Sequence, residues 1–393
     1  MTASNLPDGL PDWIAQQLGC AREQIALDMV AGDASPRRYY RVTYSADTIS
    51  GEHLGGLPAG ASYIAMVSPA SENNEAFLYV GAKLTEFDMR TPRVWAENSA
   101  EGWFLLEDFG DQLLLPLLSA SASASASAAE LYDRALDALA RLTTIPCDGA
   151  EIPRYDAERL RLELAIFPEW FLSGLLKIEV DDEAHKRIDD LSEFLIAAFG
   201  EQPTVWVHRD YHSRNLMILN DGDLGVIDFQ DAVVGPVTYD PASVLKDCYL
   251  RLPRDQQLRW LDSYLSKLRS QGDITSSAEN PSQSAEHFRH LQSLATELED
   301  VSATQFQRWF DLTGLQRHLR VLGVFARLHL RDHKSAYLAD LPLVVAYVRE
   351  ALVLTSAAHK SVADFQQWFE ADVMPVVIEQ SWYQPVDYEG WAV

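Results

Sequence analysis

Along the first hundred residues, the apolar positions follow short periods. RRYYRVTY (37–44) and SYIAMVS (62–68) concentrate aromatic and β-branched side chains, which predicts two strands. Glu72 to Phe87 spaces Phe77, Val80, Ala82, Leu84 and Phe87 for a buried helical stripe. VWAENSAEGWFLLED (94–108) predicts a hairpin turning near Asn98 to Gly102. The N-terminal part therefore reads as a small sheet with one helix.

From about Asp111 the period lengthens. SASASASASAA (119–129) is low-complexity, an inserted linker or frayed helix start, and leads into the helical pattern LYDRALDALARL. Amphipathic helical patterns follow over 157–176, 183–198, 253–271 and, with breaks, 306–357. The polar stretch 272–286 reads as a loop between helices, and no internal repeat is visible. Three regions result: an N-terminal lobe 1–110, a helical lobe 111–360 and a C-terminal tail 361–393.

An island of strand signal interrupts the helical half: TVWVHRDYHSRNLMILNDGDLGVIDFQD (204–231). VWVH predicts one strand, and NLMIL and LGVID predict a hairpin about Asn220 to Asp223. Asp210 and Asn215 then lie on the loop before the hairpin and Asp228 at the end of its last strand, three polar side chains at one edge of a small sheet. Phosphoryl transfer uses such a set. One carboxylate orients the attacking hydroxyl, while an amide oxygen and a second carboxylate hold Mg²⁺ against nucleotide phosphates. His208-Arg209-Asp210, four residues, Asn215 and then Asp228-Phe229 reproduce the kinase order H-R-D-x-x-x-x-N followed by D-F.

Composition narrows the class. At 393 residues, 47% apolar and 23% charged, the chain has a globular balance and room for two lobes. Its net charge of −26 argues against nucleic acid and anionic membrane as partners, without forbidding a phosphate in a locally basic cleft. The N-terminus has no signal-peptide pattern and no apolar run suggests a spanning helix. Cys20, Cys147 and Cys248 have no metal or redox spacing and fit buried thiols in a reducing compartment. These features predict a cytoplasmic protein.

The pattern H-x-D-x-H-x-x-N, with DFQD downstream and YDPA (Tyr239 to Ala242) beyond, resembles the aminoglycoside phosphotransferase and choline kinase-like family. DASPRRYYRV (33–42), GWFLLEDFGDQL (102–113), HRDYHSRNLM (208–217) and LQRHLRVLGVFARLHLRDHKSAYL (315–338) resemble, more narrowly, the bacterial anomeric kinases of N-acetylmuramate and N-acetylglucosamine in peptidoglycan recycling. The resemblance spans roughly 27–351. It implies an α+β, bilobal protein kinase-like fold, with ATP and Mg²⁺ as cofactors and a small sugar as substrate. It implies no particular oligomeric state. Carried over residue by residue, Asp210 is the catalytic base, and Asn215 and Asp228 are the magnesium ligands. His208 braces the loop, Asp240 anchors the lobe internally, and Glu107 to Phe109 form the hinge that receives adenine.

One departure stands out. Kinases of this fold place a lysine on the third strand, whereas Tyr63 to Val67 has none, and Lys83 lies on the predicted helix. Ser35 is then the candidate phosphate contact in a loop with a single glycine, and Arg38 or Arg41 the candidate cation. Arg214 and Trp170 are substrate candidates, with an ion pair and a core position as their plainer readings. Arg317, Arg320, Arg327 and Arg331 read as a solvated face, with an anionic lactyl group as the other option. Three other functions stay open: an antibiotic or choline-type kinase, a metal-dependent phosphohydrolase built on His208, Asp210 and His212, and a nucleotide-sensing pseudokinase.

Overall fold

The structure is a computed structural model that describes residues 6–30, 36–44, 62–120, 126–271 and 285–386. The chain divides into two compact units, one of residues 1–86, 90–112 and 217–230, the other of 87–89, 113–216 and 231–393.

The first unit holds α1 (Leu10–Leu18), β1 (Ile25–Met29), β2 (Arg38–Tyr44), β3 (Tyr63–Val67), α2 (Asn74–Glu86), β4 (Val94–Asn98) and β5 (Trp103–Glu107). The strands form an antiparallel sheet in the order β1-β2-β3-β5-β4. β5 is apolar at four consecutive positions because both faces of the sheet are covered. Trp103 and Leu105 pack with Val42 and Tyr63 against Leu10, Ile14 and Leu18 of α1. Phe104, on the alternate face, meets Phe77 of α2 at 5.9 Å between ring centroids. The apolar spacing did not signal α1 or β1. On α2, Phe77, Val80 and Leu84 are buried, but Ala82 is exposed, since five residues from Phe77 it falls on the opposite side of the helix.

The second unit begins with α3 (Leu114–Ala120), α4 (Ala126–Leu142), α5 (Ala157–Ile166), a π-helical segment (Phe167–Leu176), α6 (Asp182–Gly200) and β6 (Thr204–Val207). Next comes the hairpin of β7 (Leu216–Ile218) and β8 (Leu224–Val226), turning where the sequence predicts. From Met217 this hairpin belongs to the first unit, where the Val226 N–H donates to the Arg90 carbonyl. β9 (Val233–Pro236), which the sequence did not signal, pairs antiparallel with β6, so the β island is two separate ladders rather than one small sheet.

The remainder is helical: α7 (Tyr239–Leu245), α8 (Arg254–Gln271), α9 (Ala285–Glu299), α10 (Ala303–Leu330), α11 (Leu341–Thr355), α12 (Lys360–Trp368) and α13 (Met374–Ile378). One core joins the π-helical segment, α6, α10 and α11 to Val362, Phe365, Phe369 and Val377, so the described C-terminal residues are part of this unit's interior. Leu341–Ala358 is long and apolar enough to cross a bilayer, contrary to the sequence reading, yet 56% of it is buried, and core packing accounts for its apolarity. Residues 121–125 of the Ser-Ala run and 272–284 of the polar stretch lie outside the described residues, while Ala285 and Glu286 already start α9. Cys248 is buried, but Cys20 and Cys147 are only half-buried, and all three are free thiols.

Candidate active site

In the helical unit, β6 delivers the chain to His208, Arg209 and Asp210. Arg209 adopts a left-handed backbone, φ 75°, unfavourable for a side chain of its size. Three fixtures hold it there. Asp240 accepts the His208 N–H at 2.6 Å and the Arg209 N–H at 3.0 Å. Glu163 of α5 accepts from the Arg209 guanidinium at 2.6 Å. The loop then closes tightly, with the His212 N–H donating to the Asp210 carbonyl, the Asn215 N–H to the His212 carbonyl, and the Ser213 N–H to the Asp247 carboxylate.

Asp210 is half-buried. Burial opposes its ionisation, but Arg320, Arg209, His212 and Arg317 outweigh that and hold the carboxyl down at about 2. Arg320 pairs with Glu163 at 3.3 Å, and Tyr155 donates its hydroxyl to the same carboxylate. Burial raises Glu163, yet Arg320 and Arg209 turn the balance and keep it below the usual range. Arg317 is 1% exposed, and its Nε and one terminal nitrogen make no hydrogen bond, so it acts on Asp210 through its field. Arg317 and Arg320 therefore do not form a solvated face. Arg331 does, paired with Asp332.

Asp240 shows the opposite balance. Burial outweighs its two backbone N–H bonds and pushes the carboxyl up to about 7. The Asn215 amide nitrogen donates to the Asp210 carbonyl at 3.0 Å, which orients the side chain so that its oxygen is the atom suited to a cation. His208 packs edge-on to Tyr211 and His212 to Tyr249. Among the described residues no three His, Cys, Asp or Glu side chains are placed to share a metal, which argues against the phosphohydrolase cluster. Arg214 lies 3.5 Å over the Tyr249 ring and 3.7 Å from Asp340, the ion-pair option. Trp170, on the π-helical segment, is half-buried and packs against the core.

In the sheet unit, Asp228 follows β8 with φ 64°, and accepts from the Gln230 side-chain amide at 2.8 Å. Phe229 is buried and stacks on Phe77 at 5.2 Å, and a Cβ on Gly81 would sit 3.1 Å from its ring. An asparagine amide oxygen and an aspartate carboxylate are the hard oxygen donors that suit Mg²⁺. The Glu107 N–H is committed to the Arg93 carbonyl, and Phe109 fills the space over Gly225, where a Cβ would lie 2.7 Å from the ring. Arg41 grips Asp108 twice, at 2.7 and 3.1 Å, and also bonds Asp111 and the Gly110 carbonyl. Burial opposes the ionisation of Asp108, but Arg41, Ser62 and the Gly110 N–H win and lower its pKa. Arg41 is thus a brace for the segment after β5. Arg38 is exposed, Lys83 is paired with Glu86, and Ser35 lies outside the described residues.

Sequence reasoning missed Glu163, Gln230 and Asp247. Glu163 did leave a signal: it occupies an apolar-face position in Leu160, Glu163, Leu164, Phe167, where a charge has to find a buried partner.

The phosphotransferase enzyme family (APH) matches residues 29–279. Relatives named N-acetylmuramate/N-acetylglucosamine kinase are 34% identical in Pseudomonas putida, covering 83% of this chain and 84% of theirs, and 35% identical in Pseudomonas aeruginosa, covering 82% of each. A relative of the same name in Neisseria meningitidis is 32% identical, covering 82% of this chain and 84% of its own. Among solved structures, a choline kinase from Cryptosporidium parvum superposes with a TM-score of 0.53 at 10% identity, over 91% of this chain and 98% of that one. An ethanolamine kinase from Plasmodium vivax gives 0.52 at 11%, over 83% of each.

Proposed function

Because this chain belongs to the phosphotransferase enzyme family, we propose that it is a cytoplasmic, ATP- and Mg²⁺-dependent kinase of the anomeric hydroxyl of N-acetylmuramate and N-acetylglucosamine, acting in peptidoglycan recycling. The observation that carries the proposal is the loop around Asp210, a fixed carboxylate in a chain whose relatives bear that name across four-fifths of its length.

Asp210 would align the C1 hydroxyl with the γ-phosphate. Held at about 2 by Arg320, Arg209, His212 and Arg317, it is ionised throughout the neutral range and a weak base. Its work is then to orient the hydroxyl and accept the proton late, as the new P–O bond forms and ADP leaves, which suits the loose transition state of phosphoryl transfer. An anomeric hydroxyl, more acidic than an ordinary alcohol, needs less from its base. Asn215 and Asp228 would hold the metal, with Gln230 orienting Asp228; when bound, the metal neutralises charge on the phosphates. Glu107 and Phe109 remain the proposed adenine hinge, and Arg214 and Trp170 the proposed sugar contacts. The three arginines about Asp210 favour a neutral or anionic sugar over a polycationic antibiotic.

The test is ADP release from Mg²⁺-ATP with N-acetylmuramate, N-acetylglucosamine, choline, homoserine and kanamycin. The expected result is turnover only with the two N-acetyl sugars, yielding an acid-labile, alkali-stable phosphate. Turnover confined to choline, homoserine or kanamycin overturns the substrate assignment.

A further inference from the structure

The spacing of Arg317, Arg320, Arg327 and Arg331 along α10 brings all four within about a quarter turn of one another. Their exposure grades along the helix: Arg317 is buried, Arg320 and Arg327 are half-buried, and Arg331 is exposed. Three of them have evident work. Arg317 and Arg320 supply the field on Asp210, and Arg320 also pairs with Glu163 at 3.3 Å. Arg331 bonds both oxygens of Asp332, at 2.7 and 2.9 Å. Arg327 is left.

Arg327 stands two turns beyond Arg320, about 10 Å further along the axis and on the same face. Its Nε is buried without a hydrogen bond, and among the described residues no carboxylate forms an ion pair with it. Burial and the like charges of Arg331 and Arg320 push the guanidinium down from its ordinary value, with Asp332 and Glu169 opposing them only in part. An anion arriving beside it would relieve that repulsion. The backbone around it is close-packed. A Cβ on Gly323 would fall 2.5 Å from the Ile166 carbonyl oxygen, and one on Gly174 would fall 3.1 Å from Leu330 and 3.2 Å from the Glu169 carbonyl oxygen. This stretch of α10 therefore lies flush against the π-helical segment that carries Trp170, within the same unit as Asp210.

The two proposed sugars differ at one position. N-acetylmuramate carries a lactyl ether on C3, ending in a carboxylate, where N-acetylglucosamine has a hydroxyl. C3 is two ring atoms from C1, so with the C1 hydroxyl on Asp210 the carboxylate needs a cation set back from those that serve Asp210. A guanidinium fork matches a carboxylate with two parallel hydrogen bonds. We infer that Arg327 binds the lactyl carboxylate of N-acetylmuramate and sets the preference for that sugar over N-acetylglucosamine.

This inference rests on the proposed substrates, so the test separates the two. Steady-state rates with saturating Mg²⁺-ATP are measured on N-acetylmuramate, its neutral lactyl carboxamide and N-acetylglucosamine, for the full-length wild type, Arg327→Gln, Arg327→Lys and Arg331→Gln. Arg327→Gln is expected to lower kcat/KM for N-acetylmuramate by about tenfold or more, chiefly through KM, as loss of one charge-assisted hydrogen bond does. N-acetylglucosamine should shift less than about twofold. Arg327→Lys should recover part of the loss, and Arg331→Gln should leave the ratio of the two sugars unchanged. The wild type should lose a similar factor between N-acetylmuramate and the carboxamide, and Arg327→Gln should not. A folded Arg327→Gln with an unchanged sugar ratio overturns the assignment, as does a selective loss in Arg331→Gln. If Arg327→Gln does not fold, a wild type that turns over acid and carboxamide equally overturns it as well. A wild type that phosphorylates neither sugar overturns the substrate reading itself.

Discussion

Asp210 in the helical unit lies in the field of Arg320, Arg209, His212 and Arg317, whereas Asp108 in the sheet unit is gripped directly by Arg41 at 2.7 and 3.1 Å. The two centres are built oppositely. Around Asp210 the compensation is redundant: Arg209 and Arg320 share Glu163, Arg317 adds an unbonded charge, and the carboxylate is fixed in position and ionisation. Around Asp108 the compensation is by contact: Arg41, the Ser62 hydroxyl and the Gly110 N–H all bond the carboxylate, which ties the segment after β5 in place. A group that orients a hydroxyl benefits from the first arrangement, and one that braces a segment from the second.

Several substitutions would break or sharpen this contrast. The largest effect is expected from Asp210→Asn: kcat falls by about 10²–10⁴-fold while ADP affinity, measured by calorimetry, stays within about twofold. Near-normal turnover in that variant would remove Asp210 from the chemistry. Glu163→Gln leaves Arg209 and Arg320 buried without their shared acid, so urea unfolding should show a loss of about 3–5 kcal/mol. A loss under about 1 kcal/mol would mean that Asp210 alone balances the arginines.

The pH dependences follow in size. Asp240 is raised from 3.8 to about 7, so the native state holds more protons than the unfolded chain between those values. Its contribution to stability is complete below about pH 4 and is lost as pH rises through about 7; Asp240→Asn should flatten that slope in urea midpoints taken from pH 4 to 8. Asp210 is depressed from 3.8 to about 2, which has the reverse sign. Its contribution is complete above about pH 4 and disappears as pH falls through about 2, so the pH profile of kcat should show no limb from Asp210 between about pH 5 and 8. The smallest effect is expected from Gln230→Ala. It frees Asp228 of one hydrogen bond and should raise the Mg²⁺ concentration at half-maximal rate about tenfold, as loss of a partner behind a metal ligand does, with little change in melting temperature.

Much of the framework was legible because its signals are local. β2, β3, the β4–β5 hairpin and the β7–β8 turn follow from alternation and turn residues within ten or so positions. α1 escaped because its apolar residues, Leu10, Ile14 and Leu18, make one short stripe beside Pro11 and Gly19, and β9 because VVGP offers too little to distinguish a strand from a turn. The Asp210, Asn215 and Asp228 spacing was visible as a motif. Their partners were not, since Glu163 and Arg209 are 46 residues apart and meet only when α5 packs beside the loop after β6.

What the sequence determined by itself was the period of each element, the loop that carries Asp210 and Asn215, and the absence of a lysine from β3. Only the tertiary structure decided which charges are compensated. It turned Arg41 into a brace, made Arg317 and Arg320 the fixed field around Asp210, and buried Arg37 against the Ser68 hydroxyl. The physical reason is that periodicity reports whether a side chain faces inward, whereas the state of a buried charge depends on which other elements arrive within a few ångströms of it.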